Sequence, residues 1–211
     1  MMVPPVPAGV EIPPEPPDVG ARALAVGARL LAGAATFFFL AFLFAYFYLR
    51  SLNVEHMWKP AHVKPEQALG AIGIACIIVS AVLAMYASRR MRAGSSSWTG
   101  AAAGAVLLGL VAVALQCIAY TRQHFGPTDG AYASVYCAWT AFYAMGVLGA
   151  MYWLETHVAT ELRARREPAA ENEGDIKDPD RLIAPGLEAA AWFWAYLAGL
   201  GVIAYVTLYL V

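Results

Sequence analysis

The chain has 211 residues, 60% of them hydrophobic and only 14% charged, with 14 Lys+Arg against 15 Asp+Glu. A soluble domain carries roughly 25% charged residues, so this composition excludes an ordinary water-soluble globule. The net charge of -1 leaves no basic stripe for phosphates, which excludes nucleic acid as a partner.

The first predicted element, residues 1–22, is a proline-rich arm. Prolines stand at positions 4, 5, 7, 13, 14, 16 and 17, and such a composition favours an extended, polyproline-like chain. It lacks the basic start and short apolar core of a signal peptide. Residues 23–211 then read as one membrane domain. Five stretches are free of charge: 30–49, 67–88, 93–121, 130–154 and 189–211. About 20 apolar residues in a helix cross a hydrocarbon core of ~30 Å. Lipid offers the backbone no hydrogen-bond partners, and no stretch alternates as a barrel strand would, so each is predicted to be helical. The expected spans are 24–49, 67–88, 100–121, 131–154 and 188–210, with residues 94–99 as a loop and 155–187 as a polar, solvated loop. The fold class is therefore all-α: a polytopic membrane protein with five transmembrane helices.

Basic residues in the loops set the orientation. One side collects Arg22, Arg89, Arg90, Arg92, Arg163, Arg165, Arg166, Lys177 and Arg181, and the other Arg50, Lys59, Lys64 and Arg122. This bias places the N-terminus inside and the C-terminus outside. The basic part of the 155–187 loop is suited to anionic headgroups.

The chain carries little redox chemistry. Its four histidines, His56, His62, His124 and His157, lie outside the spans or at their ends, and no two share a span. No pair can therefore bracket a haem within the bilayer. His56 and His62 read as solvent-facing loop residues. Cys76, Cys117 and Cys137 fall in three different spans and read as packing residues. No span interior holds Asp, Glu, Lys or His, which argues against an ion pathway, and there is no inverted repeat of the transporter kind. The polar inventory of the interiors is Thr36, Ser80, Gln116, Ser134, Thr140 and Thr207, with Tyr and Trp. Gln116 needs hydrogen-bond partners in hydrocarbon, so it is expected to face other helices. Ala101, Ala105 and Gly109 recur every four residues on the third span, and the first is rich in Phe. The residues alone predict a five-helix packing subunit without its own redox centre.

Several stretches resemble subunit III of the haem-copper oxidases. Leu107-Leu108-Gly109 followed by Gln116 and Tyr120 is similar to the family's L-L-G…Q-x-x-E-Y. Residues 129–134, with Asp129, Gly130, Tyr132 and Ser134, are similar to D-G-x-Y-G-S. Thr140, Phe142 and Val147 match T-G-F-H-G-L-H-V. Residues 44–50, ending in Arg50, resemble A-A-Y-F-x-x-R, and Trp58 and Pro60 the W-P-P loop that follows. Trp194, then Tyr205 to Tyr209, resemble the ends of Y-W-H-F-V-D…Y-V-S-I-Y. The ordered set runs from about residue 30 to the end. The ionisable motif residues are replaced: the family's intramembrane glutamate falls near Ala35 and Thr36, and its Q-x-x-E glutamate at Ala119. Its histidines fall at Tyr143, Gly146 and Ala195, and its aspartate at Ala198.

The resemblance implies a short, five-helix form of the family, in a bacterial plasma membrane. It implies an accessory, non-redox subunit of a cytochrome c oxidase that packs on catalytic subunit I, with subunit II, phospholipids and a larger respiratory supercomplex as further partners. Haem a, haem a3 and copper are then expected in partner subunits, with no cofactor or metal in this chain. The enzyme activity belongs to the complex, and this chain has no catalytic residue. Arg50, Trp58, Gln116, Tyr120, Asp129, Tyr132, Thr140, Phe142, Trp194, Tyr205 and Tyr209 are expected in structural or interface roles. A subunit III-like component of a quinol oxidase or nitric oxide reductase, or a stand-alone transporter, are the competing readings.

Overall fold

The computed structural model describes residues 17–53, 58–166 and 179–211. Five helices follow in chain order: α1 (Pro17–Ser51), α2 (Gln67–Arg92), α3 (Trp98–Arg122), α4 (Ala131–Arg166) and α5 (Pro179–Tyr205), the last continued by a π-helical turn, Val206–Leu210. All five are long and apolar enough to cross a membrane. No strand occurs among the described residues.

The helices outrun the expected spans. Residues 17–22, expected in the extended arm, are the first turns of α1. Pro17 suits a first helical position, where its missing N–H would have had no partner. Residues 1–16 lie outside the described part. α2 runs on to Arg92 and ends on a glycine cap. Gly94 has φ 70°, and the Ser95 N–H reaches the Arg90 carbonyl at 3.1 Å while the Gly94 N–H reaches Met91 at 2.9 Å. That pair of bonds closes the last carbonyls of the helix. α3 starts at Trp98, so Trp98 and Thr99 are helical rather than loop. The largest departure is the expected loop 155–187. Residues 155–166 prolong α4, and 179–187 open α5, with Pro185 inside that helix. A charged segment that leaves the membrane need not leave the helix, because water can solvate its side chains while the backbone bonds continue. The rest of that loop, 167–178, and His56 lie outside the described residues.

The bundle is organised around α5, which packs on α1, α2 and α4, while α3 bridges α2 and α4. α5 is the most enclosed span, half of its apolar window being buried. Small residues make the close approaches. On α3 the buried face is Ala102, Ala105, Gly109 and Ala112, close to the small-residue face expected from sequence but with Ala101 only half-buried. The Ser80 hydroxyl donates to the Ala105 carbonyl at 2.5 Å and accepts from the Trp194 indole at 3.0 Å. One hydroxyl thus joins α2, α3 and α5 without burying a charge. At the opposite end from Tyr209, Arg92 pairs with Glu188 at 3.1 Å. Both side chains are about half exposed, so this pair contributes about 0–1 kcal/mol. Apolar side chains cover the outside: Phe37, Phe44, Leu107 and Tyr152 are all more than 60% exposed. In water such a surface would aggregate; against lipid tails or another subunit it is the stable arrangement.

Candidate functional site

The C-terminal ends of α1 and α3, the N-terminal ends of α2 and α4, and the π-turn share one end of the bundle, and most motif-matching residues meet there. Tyr120 on α3 shares a hydrogen bond of 2.5 Å with Thr140 on α4, and Thr140 donates to the Tyr136 carbonyl at 2.6 Å. The hydroxyls of Tyr136 and Tyr209 share a bond of 2.8 Å. Tyr132 donates to the Leu208 carbonyl at 2.5 Å, and the Gln67 amide to the Tyr209 carbonyl at 3.2 Å. Gln116 lies beside the hydroxyls of Tyr120 and Tyr136. This network ties α2, α3, α4 and the π-turn together. The π-turn carries Tyr209 toward α2, where its ring stacks on Tyr205 at 5.0 Å and rests on Gly70. A Cβ at Gly70 would stand 2.7 Å from the Tyr209 ring, so only glycine admits this approach.

Asp129 and Gly130 build the turn before α4. The Asp129 carboxylate accepts from the Gly126 N–H at 2.7 Å, and the Gly126 carbonyl accepts from the Asp129 N–H at 3.1 Å. Gly130 has φ 136°, which a side chain would strain. The Ser134 hydroxyl then reaches back to the Pro127 carbonyl at 2.5 Å. Asp129 is therefore a turn-forming residue. Asp129→Ala is expected to lower stability by about 1 kcal/mol, the usual worth of such a side-chain cap. Asp129→Asn, which retains an acceptor oxygen, should keep most of it. Thermal unfolding in detergent checks both; an equal fall for Asn would instead assign the effect to the charge.

Trp58 docks the α1–α2 loop onto this end. Its ring meets Tyr46 at 5.2 Å and Tyr132 at 5.8 Å, both edge-on, and its carbonyl accepts from the Tyr132 N–H at 3.0 Å. Lys59 sits 4.2 Å above the Tyr132 ring. Burial, with the Arg50 charge second, holds its ammonium below the usual lysine range. Arg50 lies 6.0 Å from the Tyr46 ring. Two motif residues stand apart from this cluster. Trp194 is at mid-bundle on Ser80, and Phe142 is 43% exposed against Phe38 and Phe42 of α1.

Sequence reasoning passed over Tyr136, Trp139 and Tyr196. Tyr136 is the centre of the hydroxyl network, and Trp139 stacks on Phe42 at 6.0 Å. Tyr196 on α5 hydrogen-bonds Thr36 on α1. The signal for the first two was a stripe at helical spacing on α4: Tyr132, Tyr136, Trp139 and Tyr143. Tyr143 donates to the Leu197 carbonyl at 3.1 Å. Ala119 and Ala198 are buried. Among the described residues, no cluster of three or more His, Cys, Asp or Glu is placed to hold a metal.

Fold and site together define a polytopic helical membrane protein whose polar groups cross-link helices rather than line a charged path. No family model matches the chain. It is similar to cytochrome c oxidase subunit 3 of Gallus gallus, 24% identical over 194 residues, which is 89% of this chain and 69% of that protein. It is also similar to the same subunit of Latimeria chalumnae, 26% identical over 195 residues, and of Cyprinus carpio, 25% over 194, at the same coverage of each. The similarity to cytochrome c oxidase subunit 3 runs along nearly the whole chain.

Proposed function

We propose that the chain is an accessory, non-redox subunit of a haem-copper terminal oxidase, which packs on the catalytic subunit and supports electron transfer to oxygen by the complex. The observation that carries this reading is the likeness to cytochrome c oxidase subunit 3 along nearly the whole chain. The chemistry of the cluster agrees with it. Its tyrosine and threonine hydroxyls and the Gln67 amide bond to one another or to main-chain carbonyls, which is scaffold chemistry and supplies no nucleophile, base or ligand set. Trp58, Asp129, Tyr132, Tyr120, Thr140, Gln116, Trp194, Tyr205 and Tyr209 are assigned to packing within the bundle. Arg50 and Phe142, nearer the surface, are assigned to its interfaces.

The exposed apolar flank of α1, with Phe37 and Phe44 outermost, suits contact with lipid or a partner subunit. Haem a, haem a3 and copper belong to the partner chains in this reading. The proposed location is a bacterial plasma membrane, with the proline-rich arm on the cytoplasmic side, on the strength of the basic-residue bias between loops. Affinity purification from the native membrane, followed by an absorbance spectrum, tests the assignment. Haem bands are expected in the co-purified complex and none in the chain expressed alone. A haem band or stoichiometric copper in the isolated chain, or a stable solo homo-oligomer without haem-bearing partners, would overturn it.

A further inference from the structure

We propose that a cavity between α2, α3, α4 and α5 is an internal hydration site, holding ordered water on the indole N–H of Trp139 and the amide NH2 of Gln116. The cavity has a volume of about 70 Å³, and both residues line it. Trp139 is 1% exposed, and its Nε1 and the Nε2 of Gln116 are buried without a hydrogen-bond partner. Both nitrogens only donate. Both residues line one cavity, and buried donors are rarely left without an acceptor oxygen.

Size decides which acceptor. A buried water needs roughly 10–15 Å³ and two to four polar partners, whereas a ring-sized molecule such as benzene occupies an engineered cavity of about 150 Å³. A volume of about 70 Å³ accommodates a few waters. The remaining walls supply what the water's own hydrogens need. Thr140, Tyr143 and Tyr209 also line the cavity. The Tyr143 hydroxyl donates to the Leu197 carbonyl, and the hydroxyls of Tyr209 and Tyr136 bond to each other. A hydroxyl that donates keeps lone pairs with which to accept. Water held this way adds to the direct bonds that already join α3, α4 and the π-turn. The inference rests on the cavity and its donors and stands whether or not the oxidase assignment does.

A density map of the chain in its native complex, at a resolution that shows ordered water, is the direct test. Discrete peaks about 2.7–3.2 Å from both nitrogens are expected. Continuous density of an acyl chain, or direct protein partners for both nitrogens, would overturn the proposal. The purified full chain gives a second test through Gln116→Leu, Trp139→Phe and the double variant. If one water cluster serves both donors, each single variant lowers the unfolding midpoint and the double variant falls by less than the sum. Strictly additive shifts, or a rise in midpoint for Gln116→Leu, would mean that the donors share no water.

Discussion

Trp194→Ala is expected to lower the stability of the bundle by about 3–5 kcal/mol, the largest effect of any single truncation considered. Trp194 is fully buried on α5, the helix that α1, α2 and α4 all pack against. Lipid tails are as apolar as the core, so the loss arises mainly from packing contacts and the void left behind rather than from water. The indole N–H adds a bond to Ser80, whose hydroxyl also holds the Ala105 carbonyl. Trp194→Phe retains most of the ring but not that bond, and should cost about 1–3 kcal/mol. Reversible unfolding in mixed micelles measures both. An alanine variant within about 1 kcal/mol of the parent would remove Trp194 from the centre of the packing.

The second large effect is expected at Gly70. A Gly70→Val side chain meets the Tyr209 ring, because even its Cβ would stand 2.7 Å from a ring carbon. The ring must move, and the Tyr136–Tyr209 bond moves with it. Overpacking costs about 1–3 kcal/mol and the lost hydrogen bond about 1 kcal/mol more. Gly73 is the control. It lies one helical turn along α2 and has nothing within 4 Å of an added Cβ. Gly73→Ala should be neutral or stabilise by up to about 1 kcal/mol through helix propensity. Equal losses at both positions would mean that α2 resists any added bulk and that Tyr209 has no special part.

Most of the architecture was legible from where charge is missing. Five uncharged stretches of adequate length leave the backbone one solution in lipid, and five helices occupy them. The ends were not legible, because hydropathy reports the solvent around a side chain and not the state of the backbone. Residues 155–166 are charged and remain helical, and residues 17–22 are helical directly after a proline run. At the site, the motif matches pointed to the right end of the bundle but not to the right pairs. Asp129 and Tyr132 stood out by their likeness to a family pattern. Tyr136 and Trp139 lie on the same face of α4 without such a likeness, and only the packed structure shows that Tyr136 joins Tyr209 and that Trp139 faces the cavity. The Thr36–Tyr196 contact links positions 160 apart in sequence, which no local spacing can reveal.

Many of the bonds that hold the helices together end on main-chain oxygens. Ser80 donates to the carbonyl of Ala105, Tyr132 to that of Leu208, Tyr143 to that of Leu197, and Gln67 to that of Tyr209. A carbonyl is present whatever residue carries it, so each of these contacts constrains one side chain instead of a matched pair. The accepting position is free to drift in evolution, limited only by the room its side chain needs. A bundle wired in this way tolerates extensive replacement before its geometry changes, consistent with a chain that shares only 24–26% of its residues with the relatives it matches.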